Sequence, residues 1–290
     1  MAYPVISAPY GLKPINLIGG QVFAGSTRMV PIQYGYNTNI FYGDFVKIAP
    51  FTSTTVAPGT LGRASVTNTL VTSTANQYTG VFLGCSYTNP LTKQKQFAQY
   101  WPAGTLAGDA VAYVADDPDT VFKAVVCSSG TTVASGAIGM VGSNLAMIDT
   151  AGSTATGNSS NAVLAPTTNT VSAFPVRCVG LVEETAYAVV GTGSSSATTI
   201  TLTGSGLPSA IPVGTSVAYL ASNGQVIQTG QFVTSAASAG GTSITISAQT
   251  YLQGASTNIP ASSTIIFTVY PEILVKPNLA GHGYYSSTAP

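Results

Sequence analysis

Between Gly108 and Cys127 the chain reads Gly-Asp-Ala-Val-Ala-Tyr-Val-Ala-Asp-Asp-Pro-Asp-Thr-Val-Phe-Lys-Ala-Val-Val-Cys. No other stretch limits the possible folds as tightly. Val111, Tyr113 and Ala115 alternate with Ala112 and Val114, and Val121, Lys123 and Val125 alternate with Phe122, Ala124 and Val126. Residues of these types at period two fit a pleated, half-buried strand. Asp116-Asp117-Pro118-Asp119 lies between the two runs and carries turn chemistry, because Asp bonds its own backbone and Pro presets φ. The pattern predicts a hairpin. Its opening phrase recurs as Gly43-Asp44-Phe45-Val46, with a relative at Gly214-Thr215-Ser216-Val217. A chain built of short strands entered through Gly-Asp or Gly-Thr turns is the reading that follows.

Charge narrows the function. Only 6% of the 290 residues are charged, nine of each sign, against about 25% in an ordinary soluble domain. Such a surface offers no electrostatic footprint for nucleic acid and no polybasic patch for anionic lipid. With 45% hydrophobic residues, disorder is not expected either. A neutral surface keeps a free monomer in solution poorly, which points to a protein packed against others. No apolar run approaches the roughly 18–20 residues of a spanning helix. The opening Met-Ala-Tyr-Pro-Val-Ile-Ser-Ala-Pro-Tyr lacks the basic and apolar regions of a signal peptide. Cys85, Cys127 and Cys178 are far apart in apolar runs and read as small buried hydrophobes.

The expected fold is all-β: a small curved β-barrel core with an extended N-terminal arm and an inserted Ser/Thr/Gly-rich β module. Residues 1–28 form the arm. Its prolines and glycines oppose a helix or a central strand, yet it carries Tyr3, Tyr10, Leu12, Ile15, Leu17, Ile18 and Phe23. It lies either on its own domain or on a neighbouring subunit, by strand addition or groove docking. Residues 29–191 with 264–276 form the core. Strands are expected at Met29–Tyr34, Asn39–Ile48, Thr79–Tyr87, Asp109–Val114, Thr120–Cys127, Ala137–Gly142, Asn144–Ile148 and Arg177–Glu183. Glycines inside three of these runs, at Gly80–Gly84, Ala137–Gly142 and Cys178–Val182, suggest bulges or barrel corners. Asp149–Ser172 reads as a long surface connection. The module, 192–263, holds no charged residue and no histidine, and carries strand patterns at Thr198–Thr203, Ser216–Leu220, Val226–Val233 and Thr242–Ser247. Asn223-Gly224 signals a tight hairpin between two of them. Residues 277–290 are an exposed tail.

Catalytic chemistry finds little footing. The one histidine, His282, falls in the tail, and Gly-x-Ser-x-Gly and Gly-Lys are absent, so neither a nucleophile elbow nor a P-loop is present. No catalytic, cofactor-binding or metal-binding residues are assigned, and the chain is read as a non-enzyme. Asp116, Asp117 and Asp119, with Asp109, are the one carboxylate cluster; they read as turn residues, with a hard-cation site as the rival. Trp101, in Tyr100-Trp-Pro102, is a carbohydrate platform, an intersubunit anchor or part of the core.

Tyr10-Gly-Leu-Lys-Pro-Ile-Asn-Leu-Ile-Gly-Gly-Gln21, Gly25-Ser-Thr-Arg28, Pro31-Ile32, Phe41-Tyr-Gly-Asp-Phe-Val-Lys47, Gly108–Asp119 and Glu272-Ile-Leu-Val-Lys276 together resemble structural proteins of tailed phages, especially those infecting cyanobacteria and marine bacteria. These phrases span roughly the N-terminal two thirds and the last core strand, and leave out 192–263. The resemblance implies a capsid decoration (cement) protein on the outer face of the head. Its partners would be the major capsid protein and neighbouring copies of itself, with neither nucleic acid nor membrane. The candidate interface is Tyr3, Tyr10, Leu12, Ile15, Leu17, Ile18, Phe23 and Trp101. The alternative is a head- or tail-fibre-type protein that binds host glycans through the 192–263 module and Trp101.

Overall fold

The structure, a computed structural model, describes residues 6–49, 53, 56–64, 78–165, 174–221, 223–248, 259–278 and 282. It is all-β, 49% strand and 3% helical, and includes a nearly closed, barrel-shaped sheet. Two compact units emerge. One comprises Ser7–Val133, Gly142–Gly180 and the chain from Leu274; the other comprises Ile6, Ala134–Val141 and Leu181–Ile273.

The first unit carries two sheets. One runs β2 (Arg28–Pro31), β7 (Val111–Ala115), β5 (Gly80–Thr88), β3 (Phe45–Ile48), β4 (Leu61–Arg63), with β6 (Lys95–Ala98) also on β5. It buries Val30, Val46, Leu61, Phe82, Trp101 and Val114 in a single cluster. β5 is bulged between Phe82 and Gly84, where Gly84 takes φ +137°, a backbone that favours glycine. The other sheet has the order β10 (Asn144–Leu145), β13 (Val176–Leu181), β20 (Glu272–Pro277), β8 (Thr120–Ser129), β12 (Ala162–Leu164), β11 (Met147–Ile148), with β1 (Lys13–Leu17) and β9 (Thr132–Val133) also on β8.

The two runs flanking the acidic turn are both strands, but they are not a hairpin. β7 pairs with β2 and β5, whereas β8 pairs with β1, β9, β12 and β20. The turn is a corner between sheets. Asp117 Oδ1 accepts the Asp119 N–H at 2.8 Å and Asp117 O accepts the Thr120 N–H, so the aspartates fix a reversal without fixing a pairing. Alternation names a strand and its faces; the partner is chosen by longer-range burial. Two further expectations fail. Ala137–Gly142 is a 3-10 turn over Ile138–Met140, not a strand. Asp149–Ser172 is not purely superficial: Ser159, Asn161, Ala162 and Val163 are buried, and β12 lies parallel to β8; residues 166–173 of that span lie outside the described residues.

The second unit is a six-stranded sheet in the order β17 (Val226–Phe232), β16 (Ser216–Leu220), β19 (Ile259–Val269), β14 (Tyr187–Ser195), β15 (Thr199–Leu202), β18 (Ser243–Thr245). A Val233↔Ile246 bridge and a bond from Thr234 N–H to Thr245 O join its two ends, so it almost closes on itself. Val189, Ile200, Tyr219, Ile244, Ile265 and Phe267 fill the interior. The composition boundaries at 192 and 263 fall within β14 and β19, which pair from Tyr187↔Val269 to Ser195↔Ile259. The compact unit is accordingly wider than the charge-free span. β16 and β17 form the expected hairpin, but Ala221 N–H bonds Gln225 O and Gly224 takes φ +80°, giving a three-residue loop rather than the two-residue one.

Candidate functional site

Arm residues 7–28 belong to the first unit, so this part of the arm lies on its own domain. Gly11 donates to Asn161 O and Leu12 to Gly43 O; a Cβ on Gly43 would stand 2.7 Å from the Leu12 nitrogen, which is why glycine sits there. β1 then adds antiparallel to β8, with Lys13↔Lys123 and Leu17↔Thr120 in register. Pro14 is tolerated because β1 breaks register between Pro14 and Asn16. Leu17 N–H bonds Gln21 O, Gly20 N–H bonds Leu17 O and Asn16 bridges Val22, so the chain turns back as a short flap. Ile18 N–H bonds Asp119 O and ties the flap to the corner.

The flap divides the predicted interface residues. Leu12 is wholly buried; Tyr10, Leu17 and Phe23 are half-buried; Ile15 and Ile18 face solvent at 41% and 50% exposure. Val22, an apolar arm residue outside the candidate interface, is exposed too, at 79%. Tyr3 lies outside the described residues. Tyr10 packs under Lys13, whose Nζ is 4.1 Å from its ring centre, with Lys123 at 5.7 Å. Two like charges placed opposite each other on adjacent strands thus share one aromatic ring, which attracts both.

Trp101 is neither an anchor nor a platform. It is fully buried, its indole N–H donates to Tyr36 O at 3.1 Å, and its ring meets Tyr87 edge-on at 5.4 Å. Leu12 and Trp101 both leave the candidate interface because their own domain already covers them. Other apolar groups, missed from sequence, are exposed instead: Met29 on β2, Phe97 on β6 and Leu91 in the β5–β6 turn. Phe97 sits in Lys-Gln-Phe-Ala, where one aromatic among polar neighbours gives no sign of which face is outward.

Polar chemistry is concentrated in one buried cluster that sequence reading also missed. Asp44 is fully buried, and its carboxylate accepts from Ser159 Oγ at 2.6 Å, Phe41 N–H at 2.9 Å and Arg63 Nε at 3.1 Å. Arg63 also pairs with Asp149 through both terminal nitrogens. Burial pushes the Asp44 carboxyl above its ordinary range; the Arg63 charge and these hydrogen bonds pull the other way without cancelling it. Burial works against the Arg63 charge too, but two carboxylates outweigh it. The asymmetry has a simple cause: Arg63 has two anions, whereas Asp44 shares one cation with Asp149. These bonds tie together β4, the Gly43-Asp44 turn and the 149–161 connection.

The acidic corner is engaged by cations of the chain itself. Asp116 pairs with Arg28 at 3.5 Å and Asp119 with Lys276 at 3.1 Å. Asp109 binds Lys95 Nζ and the Thr88 N–H and hydroxyl, and these bonds, Lys95 first, hold its carboxyl well below the usual range. Among the described residues no three His, Cys, Asp or Glu side chains are grouped to hold a metal ion. All three cysteines are free and buried; burial pushes Cys85 up to about 12 and Cys127 and Cys178 to about 11, far from thiolate chemistry. His282, expected in an exposed tail, is 1% exposed and packs edge-on against Tyr78. No family model, curated protein or solved structure matches this chain.

Proposed function

We propose that this chain is a non-enzymatic virion protein that binds the outer face of a tailed-phage head and stabilises the capsid by bridging major capsid protein subunits, with copies of itself as neighbours. The observation that carries the reading is the flap: Ile15, Ile18 and Val22 stand exposed on a segment already fixed by backbone hydrogen bonds. Conformational entropy of about 1–2 kcal/mol per residue is therefore lost on folding and not on docking. Fully burying a large aliphatic side chain contributes about 1.5–3 kcal/mol, so three partly exposed ones give a weak single contact. Repetition around a shell turns weak contacts into avidity. The scarcity of charge, nine of each sign in 290 residues, suits a surface that meets protein and not packaged DNA. The glycan-binding alternative loses its platform, since Trp101 is inside the fold.

The test is Ile18→Ser with Val22→Ser, mixed with shells assembled from the major capsid protein. Cosedimentation should show at least tenfold weaker attachment while the fluorescence of Trp101 reports an unchanged fold. Equal attachment by the variant would remove the flap from the interface, and no attachment by the parent chain would remove the proposal.

A further inference from the structure

We infer that Asn223 is a self-modifying site: its side chain cyclises onto the Gly224 nitrogen, and the β16–β17 turn gains a negative charge without any enzyme. Asparagine followed by glycine occurs once in the sequence, at this turn. Ring closure needs the side-chain carbonyl carbon to reach the next backbone nitrogen, and a Cβ on that next residue crowds the approach. Gly224 has none, and the space where one would stand is open. Its φ of +80° is a backbone that glycine adopts freely. Both residues are exposed, so water and hydroxide reach the turn.

The fold adds an orientation that the dipeptide alone lacks. Asn223 Oδ1 accepts the Gln225 N–H at 3.0 Å, which bends the side chain over its own backbone and polarises its carbonyl. One bond opposes the step: Gly224 N–H donates to Ala221 O at 2.8 Å and has to open first. Opening it is a local event at a hairpin tip, which costs far less than unfolding. Asn158 marks the contrast. Its Oδ1 accepts from Gln99, and the nitrogen it would need, that of Ser159, donates to Tyr42 O on a residue only 1% exposed.

In the first step the Gly224 nitrogen bonds Asn223 Cγ, the Cγ–Nδ2 bond breaks, and the proton of the attacking nitrogen leaves with the amide as ammonia. Water then opens the five-membered imide at one carbonyl or the other, giving aspartate or isoaspartate. Either product carries one negative charge, and the net charge of the chain moves from zero to one negative. The position matters because 192–263 holds no charged residue and the adjoining β17 exposes Val226 and Ile227. A charge-free stretch thus acquires a charge with age, and any contact that buries the turn weakens.

The experiment incubates the intact chain between pH 7 and pH 9 and follows every asparagine by peptide mapping in a mass spectrometer. The expected result is a gain of about 1 Da at Asn223 ahead of every other asparagine, with isoaspartate among the products. The strands beside the turn, β16, β17 and β19, bring no charged group to it, and their one titratable side chain, Tyr219, is fully buried. The rate should therefore rise about tenfold per pH unit, as the ionised fraction of a very weak acid does. Asn223→Gln keeps an amide but would have to close a six-membered ring, and should stay unmodified over the same period. Aspartate without isoaspartate would mean direct hydrolysis and overturn the cyclisation. An asparagine that persists in the folded chain while the urea-unfolded chain converts would mean that the bond to Ala221 O holds the turn shut, which overturns the inference too.

Discussion

Replacing Arg63 with leucine tests the buried tie most directly. The guanidinium is 19% exposed, Asp44 is fully buried and Asp149 is 10% exposed, so removing the cation leaves two carboxylates with little access to water. Breaking a buried pair by deleting one partner costs about 3–5 kcal/mol, because the remaining charge is uncompensated. Asp44 keeps its bonds from Ser159 and Phe41, which places the loss inside that range and not above it. The pH dependence is the sharper part. A raised folded carboxyl pKa gives stability that is present at low pH and is lost as pH rises through the folded value. Arg63 is what pulls that value down, so without it Asp44 retains its proton to higher pH still. The penalty of Arg63→Leu should be near its full size at pH 8 and clearly smaller at pH 5. Trp101, the one tryptophan, is buried in the same unit, so urea unfolding followed by its fluorescence isolates the relevant transition. Adding Asp44→Asn should recover most of the loss at pH 8. A penalty below about 1 kcal/mol at pH 8, the range of an exposed pair, would refute the reasoning, as would a penalty equal at both pH values.

Trp101→Ala should destabilise by about 3–5 kcal/mol in calorimetry, through the cavity it leaves and the loss of the indole bond to Tyr36 O, which keeps its bond from Gly104 N–H; a loss under 1 kcal/mol would return Trp101 to the list of surface groups. Deleting 194–262 removes β15 to β18 and strips the cover from Val189, Ile265 and Phe267 on β14 and β19. That truncated chain should aggregate, and a soluble product melting cooperatively would show that the six-stranded unit is not a single core.

Local chemistry was legible in the sequence wherever the cause is local. The runs at Val111–Ala115 and Thr120–Ser129 became strands, the Asp116–Asp119 turn reversed the chain, and Asn223-Gly224 closed a hairpin. What was not legible is which strand each strand meets. β7 and β8 adjoin in sequence and lie in different sheets, because pairing is decided by which faces can be buried together. The charge-free span misplaced the unit boundary for a related reason: the lack of charge describes a surface, while β14 and β19 run through it to share a core. The Gly43-Asp44 phrase was noticed as a turn, but its partners Arg63, Asp149 and Ser159 are distant in sequence and no periodicity links them. His282 looked like tail because glycine surrounds it; nothing local signals that Tyr78 offers it a seat.

The flap has a consequence for how the chain comes into being. β1 is made before the strand it pairs with, β8, which begins only at Thr120 and takes a further strand, β20, from Glu272–Pro277. During synthesis the N-terminal apolar residues wait unpaired while more than a third of the chain follows, and the sheet that receives them is completed only by the last strand. Pairings this distant make folding slow and expose sticky edges meanwhile. Chains truncated before residue 272 should therefore collect as aggregates and not as half-folded monomers, and the yield of native protein should depend on how quickly the C-terminal strand arrives.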